Sequence, residues 1–302
     1  MRPAAAVIAA VLLMLCAPRG VLADSSGPAP IDFPSIWRLC DAYRTMRYGT
    51  VAAIHAALDP SCDELVVVDL EKTRNRYMLG TLEKERRHEI WIRGTTTVKN
   101  AFTDLEFSKR RDSRLGINLH RGFAAMAEAV HDDILPRLRP GYDIVIFGHS
   151  LGAAEATILG MLLSSGGWNV LQVYAAGSPR FTDAEGARKF AALPVLRIIN
   201  EGDPVPLLPP RTHVSPGDSY VHLGPAVVLL DGPAYCLLGD QYGDEALGPD
   251  FWDTVKRIGL RGDIREHFIT SYLERLAPKR EASILVPWER RADYLPVKDG
   301  AY

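Results

Sequence analysis

The pentapeptide Gly-His-Ser-Leu-Gly at residues 148–152 constrains the fold more than any other feature of the sequence. An apolar run over 143–147 precedes it, and a stretch rich in Ala and Leu over 151–164 follows it. The serine, Ser150, is therefore predicted on an abrupt turn between a strand and a helix. Glycines two residues to either side leave room for that turn, whose strained backbone presents the hydroxyl to a substrate. A simple turn with Ser150 as the helix N-cap is the alternative, but it explains the two glycines less well.

Strand and helix patterns alternate on both sides of this turn. Several of the strand-like runs are apolar nearly throughout, as in strands that are covered on both faces. Alternation of this kind predicts an α/β fold with a mostly parallel central sheet flanked by helices. The strand-like segments are 64–70, 76–81, 88–93, 143–147, 169–174 and 195–200, and the helix-like segments are 36–55, 122–138, 151–164 and 183–192.

Composition narrows the class of protein. The chain has 302 residues, of which 47% are hydrophobic, with 35 Lys plus Arg against 37 Asp plus Glu. This describes one well-packed globular domain, or at most two small ones, and excludes general disorder. A net charge of −2 gives no electrostatic reason to expect a nucleic acid as partner.

The first 23 residues read as a secretory signal peptide. Arg2 is followed by an apolar run over 4–17 and then by Val21-Leu22-Ala23, a small-residue cleavage pattern. The run is shorter than the roughly 20 residues that span a bilayer, so no stable transmembrane anchor is expected. We therefore predict a secreted protein with a domain over 24–277 and a proline-interrupted tail over 278–302.

Three cysteines remain after removal of this segment, namely Cys40, Cys62 and Cys236. In an oxidising compartment, one disulfide and one free thiol are expected. A bond between Cys40 and Cys62 is favoured because they flank a short helical stretch and loop, but the other pairings stay open. No spacing of Cys and His suits zinc, and no metal site is predicted.

A serine nucleophile needs an imidazole to accept its proton and a carboxylate to orient that imidazole. In an α/β-hydrolase the acid and then the histidine follow the serine along the chain, on loops after later strands. Asp203 lies just beyond the predicted strand over 195–200 and is our candidate for the acid. Glu201 and Asp183 are less well placed. An Asx turn before a proline is the alternative role for Asp203.

Three histidines follow Asp203 along the chain, namely His213, His222 and His267. His213 lies in a polar loop, and His222 could face solvent from a strand. His267 immediately precedes the helical pattern over 268–276, which places it at a junction between a loop and a helix. We predict that His267 is the base, although any of the three could be an ordinary surface or core histidine.

Several stretches together resemble the class 3, or fungal-type, lipase family of α/β-hydrolases, from about residue 88 to residue 273. They are Trp91-Ile92-Arg93-Gly94-Thr95, Leu119-His120-Arg121-Gly122-Phe123, the pentapeptide at 148–152, Tyr174-Ala175-Ala176-Gly177-Ser178-Pro179-Arg180, and the segments 200–210 and 263–272. The amide of Leu151, at the start of the helix after the serine, points toward a developing oxyanion. The resemblance implies that Thr95 donates a second amide to this oxyanion hole.

The resemblance also implies a lid over residues 98–107. Val98, Phe102 and Leu105 share one face of a helix there, so they could cover the cleft or turn outward to a lipid–water interface. An amphipathic helix that packs permanently on the core is the alternative. The chain departs from the family pattern at Ala101, where tryptophan is common, and this argues against strong interfacial activation. A second departure, Glu155, puts a charged residue in the helix after the serine.

These observations predict a secreted carboxylic-ester hydrolase, similar to triacylglycerol lipases, that acts on lipid acyl esters at a lipid–water interface. Neither a metal nor an organic cofactor is expected. A soluble esterase of the feruloyl type and a phospholipase or galactolipase are alternatives with the same chemistry. A non-catalytic lipid-binding relative and an acyltransferase also remain open, as does the oligomeric state.

Overall fold

A computed structural model of the chain describes residues 30–93, 108–209, 219–239 and 264–295. The predicted signal peptide and the predicted lid, with Val98, Phe102 and Leu105, lie outside these residues, as do Thr95 and His213. Within the described ranges, none of the helices has the length and hydrophobicity needed to cross a bilayer.

Two helices, rather than the single helix predicted over 36–55, lead into the sheet. They are α1 (Phe33–Tyr48) and α2 (Val51–Leu58). Gly49 interrupts them, because its backbone is extended and its N–H donates to the Thr45 carbonyl at 2.9 Å. Thr50 then caps α2 by accepting a hydrogen bond from the Ala53 N–H. The helical periodicity of apolar residues runs across this break and hides it.

The strands reproduce and extend the predicted set. In chain order they are β1 (Glu64–Leu70), β2 (Asn75–Leu82), β3 (Arg87–Ile92), β4 (Lys109–Arg111), β5 (Asn118–His120), β6 (Asp143–His149), β7 (Val170–Ala176), β8 (Val195–Asn200), β9 (Ala226–Leu229), β10 (Ala234–Leu238) and β11 (Ile284–Leu285). In the described part of the chain, the main sheet has the order β1-β2-β3-β6-β7-β8-β9-β10-β11, and β4 pairs with β5 separately. Strands β3, β6, β7, β8 and β9 are successively parallel. The predicted mostly parallel sheet is confirmed.

Helices cover both faces of the sheet. Besides α1 and α2 they are α3 (Arg121–Ile134), α4 (Leu151–Ser165), α5 (Ala184–Lys189) and α6 (Ile269–Leu276). Side chains alternate along a strand. On β6, Ile144 and Ile146 pack in the cluster that includes α3 and α4, whereas the Phe147 ring lies 5.6 Å from the Tyr43 ring of α1. The two flanking layers expected from strand–helix alternation are therefore present.

Residues 278–295 pack on the edge of the sheet next to β10. Strand β11 pairs with β10 in parallel, and Val286 joins a buried cluster with residues of β9 and β10. The buried Lys279 ammonium donates to the carbonyls of Leu230, Gly232 and Arg275. The first part of the predicted tail therefore contacts the sheet, and the domain boundary at 277 stays a prediction.

The three cysteines that we considered for a disulfide are free thiols in this structure. Cys40 and Cys236 are buried, whereas Cys62 is partly exposed. Cys62 lines a cavity of about 130 Å³ between α1, α2 and the sheet, together with Trp37, Glu89 and other residues of those elements. A disulfide between Cys40 and Cys62 stays a prediction.

Candidate active site

Ser150 occupies the abrupt turn between β6 and α4 that the sequence predicts. Its backbone has φ 61° and ψ −132°, a region that non-glycine residues rarely adopt and that stores strain. A Cβ atom on Gly148 would collide with the backbone oxygen of Gly152, so a side chain could not fit there. The Ser150 N–H donates to the Ala176 carbonyl at 2.9 Å, which ties the turn to β7.

Leu151 is the first residue of α4. The N–H groups in the first turn of a helix have no acceptor within the helix, and they lie at its positive end. The Leu151 amide therefore has the right character to stabilise an oxyanion beside Ser150. Its predicted partner, Thr95, lies outside the described residues.

The structure brings Ser150, His267 and Asp203 into one hydrogen-bonded line. His267 Nε2 lies 2.8 Å from Ser150 Oγ, and His267 Nδ1 lies 2.9 Å from Asp203 Oδ2 and 3.0 Å from Oδ1. A carboxylate only accepts, so Nδ1 carries the hydrogen and Nε2 is left to accept the serine proton. All three side chains are buried.

Asp203 accepts hydrogen bonds from two donors besides His267. Its Oδ1 accepts a hydrogen bond from the Val205 N–H at 2.9 Å, and its Oδ2 accepts one from the Tyr272 hydroxyl at 2.5 Å. Burial and the adjacent carboxylate raise the pKa of Tyr272 well above its ordinary value, so the phenol keeps its proton. The carboxylate is thus fixed in position before any substrate binds.

The competing residues have other positions. Asp183 caps α5 by accepting from the Gly186 N–H at 2.9 Å. His222 Nε2 donates to the Pro206 carbonyl at 2.8 Å. His222 therefore contacts the loop that carries Asp203, but it is not part of the triad. Glu201 precedes Asp203 on the same turn and is partly exposed.

Three residues that the sequence analysis gave no role complete the site. Gly177 has φ 56°, and a Cβ atom there would lie 2.9 Å from both Asp203 Oδ2 and the Tyr272 hydroxyl. Tyr272 bonds the acid from α6. His149, the second residue of the pentapeptide, stacks on His267 with ring centroids 4.8 Å apart. A glycine after the β7 pattern and a tyrosine five residues after His267 were visible signals for the first two.

Glu155 lies inside the protein, on the buried side of α4. Its Oε2 accepts a hydrogen bond from Asn75 Nδ2 of β2 at 2.6 Å. Within the described residues, its Oε1 has no hydrogen-bond partner. Burial raises the pKa of Glu155 to about 8, so this departure from the family pattern places a protonated carboxyl in the core at neutral pH.

Metal ligands are not clustered in the part of the chain that the structure describes, where no three His, Cys, Asp or Glu side chains are grouped for an ion. The arrangement at Ser150 can perform acyl transfer through the protein's own side chains: a hydroxyl, a neutral imidazole that accepts its proton, and an acid that orients the imidazole.

A strand–turn–helix serine with a histidine and an aspartate from later loops, on a mostly parallel sheet between helical layers, defines the α/β-hydrolase class. Residues 90–213 match the model of the class 3 lipase family, a segment that includes Ser150 and Asp203 but not His267. Over this segment the chain is thus similar to the class 3 lipase family. The resemblance seen in the sequence is thereby confirmed.

Individual proteins show the same likeness. The chain is 35% identical over 142 residues to the secreted mono- and diacylglycerol lipase A of Penicillium cyclopium, which is 44% of this chain and 45% of that protein. The match thus spans about half the length of that curated relative. The lipase of Rhizopus microsporus var. chinensis superposes with a TM-score of 0.58 at 20% identity, over 77% of this chain and 86% of that chain. A triacylglycerol lipase whose catalytic centre is a serine protease triad superposes with a TM-score of 0.55 at 21% identity, over 66% and 81%. The two superpositions show the fold.

Proposed function

We propose that the protein is a serine carboxylic-ester hydrolase that acts on lipid acyl esters, with acyl glycerols as the substrate class. The observation that carries the proposal is the continuous line from Asp203 through His267 to Ser150, with 2.9 Å and 2.8 Å between the bonded atoms. Such spacing lies within hydrogen-bond reach for proton transfer. The strained backbone of Ser150 supports the same role, since strain of this kind is typical of nucleophiles on this turn.

Acylation begins when Ser150 Oγ attacks the ester carbonyl carbon and its proton passes to His267 Nε2. A carbon–oxygen bond forms, and the carbonyl electrons move onto the oxygen, which becomes an oxyanion. The amides of Leu151 and Thr95 donate to that oxyanion. Asp203 stabilises the imidazolium through Nδ1.

The tetrahedral intermediate collapses when the bond to the glycerol oxygen breaks and that oxygen takes the proton from His267 Nε2. An acyl group remains on Ser150. Water then attacks the acyl carbon while His267 again accepts a proton, and the fatty acid leaves as the serine hydroxyl is restored. No metal or organic cofactor takes part in these steps.

Acyl glycerols are proposed because the relatives named above act on mono-, di- and triacylglycerols. We also propose that the protein is exported, as that Penicillium relative is secreted, and that Val98, Phe102 and Leu105 form a lid that contacts the lipid. Ser150 reacts with one ester carbonyl whatever the rest of the lipid is. Selectivity for the head group therefore depends on the cleft and the lid.

A fluorophosphonate probe and a pair of ester series test the proposal. The wild-type protein is expected to label covalently, and Ser150→Ala to lose both labelling and turnover. Ser164→Ala, in the last turn of the same helix, is the matched control and should label normally. Absence of labelling in the wild type, or labelling that survives Ser150→Ala, would exclude the hydrolase.

Substrate class is tested with short soluble esters and with mono-, di- and triacylglycerols, each below and above the concentration at which droplets form. Hydrolysis of acyl glycerols above that point supports the lipase proposal. Turnover restricted to short soluble esters would indicate an esterase instead.

A further inference from the structure

His149 is enclosed by aromatic rings directly behind the proposed base. It ends β6, immediately before Ser150, and it is buried. Its ring stacks on the His267 ring at 4.8 Å between centroids with 29° between the planes. The Tyr272 ring meets it edge-on at 5.4 Å, and the Tyr43 ring lies at 5.6 Å.

A hydrogen bond joins His149 to the backbone of the same residue on which it stacks. His149 Nε2 lies 2.8 Å from the His267 carbonyl oxygen. Because a carbonyl only accepts, Nε2 carries the hydrogen and the neutral ring has a bare Nδ1. That Nδ1 is buried and has no hydrogen-bond partner among the described residues.

The surroundings of His149 keep it neutral while His267 changes charge. Burial, His267 and Arg47 hold the pKa of His149 well below its ordinary value. In the part of the chain that the structure describes, the groups that face it are Tyr43 and Arg47 from α1, His267 from the turn before α6, and Tyr272 from α6, and none of these carries a carboxyl group. A second positive charge next to an imidazolium is therefore disfavoured.

We propose that His149 is the positioning residue of His267: its Nε2–H ties the His267 backbone to the elbow that carries the nucleophile, and its neutral ring supports the His267 ring as it takes up the serine proton. This inference rests on the proposed function, since it names the device that aligns base and nucleophile. The two functions lie on consecutive residues: Ser150 is the nucleophile, and His149 holds the backbone of His267 by a hydrogen bond.

The two contributions are separable by substitution. His149→Phe keeps a ring against His267 but removes the donor, so the base is held less firmly. His149→Gln keeps an amide donor near the position of Nε2 but removes the ring face, on which an imidazolium is stabilised as a cation over an aromatic system. Turnover and pH dependence should therefore respond differently in the two variants.

The matched control is His88→Gln. His88 is also fully buried and hydrogen-bonded, with Nε2 accepting from the Arg139 N–H at 2.9 Å. It lies near the start of β3, where the neighbouring residue Arg87 pairs with Asp143 at the opposite end of β6 from Ser150. Loss of a buried imidazole there lowers stability without reaching the triad.

The experiment measures kcat, KM and the pH dependence of kcat/KM on a soluble p-nitrophenyl ester, with the thermal midpoint of each variant. We expect His149→Phe to lower kcat by about 10- to 100-fold at nearly constant KM, because a small misplacement of a reacting group has such a cost. We expect His149→Gln to move the acidic limb of the profile to lower pH by about half to one unit. His88→Gln should change only the thermal midpoint. Should both His149 variants match His88→Gln in kcat and in the acidic limb, the inference is wrong.

A measurement on the wild-type protein needs no variant to fold. Long-range ¹H–¹⁵N correlation of the imidazoles should show His149 as a single Nε2–H tautomer from pH 5 to pH 9. An Nδ1–H tautomer, or a His149 ring that gains a second proton in that range, overturns the inference. Because this readout does not require turnover, failure of the proposed hydrolase, seen as absent fluorophosphonate labelling, is distinguishable from failure of the positioning role.

Discussion

Two buried carboxyl groups, those of Asp203 and Glu155, meet very different surroundings. Asp203, on the loop after β8, accepts hydrogen bonds from the His267 ring, the Val205 amide and the Tyr272 hydroxyl. Glu155, inside α4, accepts one hydrogen bond from Asn75, and its other oxygen has no partner in the described part of the chain.

The difference shows how the protein assigns charge in its interior. A buried carboxylate is stable as an anion only when donors replace the water that it has lost. Asp203 has those donors, and one of them is the histidine that it orients. Glu155 lacks them, and burial raises its pKa to about 8, so it keeps its proton at neutral pH. The same functional group thus orients a base at one position and behaves as a neutral core group at the other.

Removal of the charge of Asp203 should have the largest effect. Asp203→Asn preserves the shape of the side chain, but its amide competes to donate to Nδ1 and thereby favours the wrong tautomer of His267. We expect kcat to fall by about 10⁴-fold, as it does for this substitution in serine proteases. The measurement is ester hydrolysis by the purified variant.

Asp183→Asn is the control for that experiment. Asp183 is also buried, and it also accepts hydrogen bonds, from the Gly186 amide and the Asn118 side chain. Asparagine caps a helix about as well as aspartate. Its turnover should stay within about twofold of wild type, and an Asp203→Asn enzyme that equalled it would remove Asp203 from the triad.

Replacement of Glu155 should change the stability of the protein and leave its turnover unchanged. The pKa of Glu155 is raised from 4.5 to about 8, so the folded state binds its proton more tightly than the unfolded state does. The contribution of Glu155 to the free energy of unfolding is therefore fully present below about pH 4.5, and it is lost as the pH rises toward 8. Glu155→Gln removes this loss, which amounts to at most about 5 kcal/mol by pH 8 at 1.36 kcal/mol per unit.

Urea unfolding of wild type and Glu155→Gln at pH 5, 7 and 9 checks that expectation. The free energy of unfolding of the variant should exceed that of the wild type by an amount that grows with pH. Thr157→Val, two residues further along the same buried helix, is a control that removes a hydroxyl without a titrating group. A difference between wild type and Glu155→Gln that did not depend on pH would show that Glu155 is already ionised in the fold.

A smaller loss of turnover is expected when a methyl group is added beside Asp203 and His267. In Gly177→Ala the new methyl would lie 2.9 Å from Asp203 Oδ2 and 3.2 Å from His267 Cε1, on a backbone with φ 56°. Displacement of these groups by a fraction of an ångström should lower kcat by about 10²-fold. Gly232→Ala shares the positive φ, at 55°, but has open space around it, so it separates backbone strain from the displacement. Equal losses in the two variants would mean that strain alone is responsible.

Local patterns predicted the elbow well, because its signals lie within a few residues of one another. The glycines two residues to either side of Ser150 predict its strained turn, and the structure shows a positive φ there. The predicted start of the helix places the Leu151 amide beside the serine. Asp203 and His267 could be selected from chain order and from the loops after predicted elements, and the structure places both beside Ser150. Their catalytic roles are the proposal that these experiments test.

The surroundings of the triad could not be predicted in this way, because their partners are distant in sequence. The bond from His149 to the His267 carbonyl joins residues 118 positions apart, and the bond from Tyr272 to Asp203 joins residues 69 apart. A solitary buried Glu155 is likewise visible only when α4 is packed on β2. The short strands β9 and β10 were missed as well, since each is brief and gives little periodicity to read.

The long-range bond from Tyr272 supplies the smallest expected change and the sharpest test of the comparison between the two carboxyls. Tyr272→Phe removes one donor from Asp203 and makes its surroundings more like those of Glu155. A hydrogen bond to a charged group contributes roughly 1.5 kcal/mol or more, so we expect kcat to fall about tenfold, with KM nearly unchanged. Tyr77→Phe removes the hydrogen bond between Tyr77 and Asp133, which joins β2 to α3, and serves as the control. If Tyr272→Phe had the turnover of Tyr77→Phe, the bonds from His267 and Val205 alone would hold Asp203, and the number of donors would not distinguish the two carboxyls.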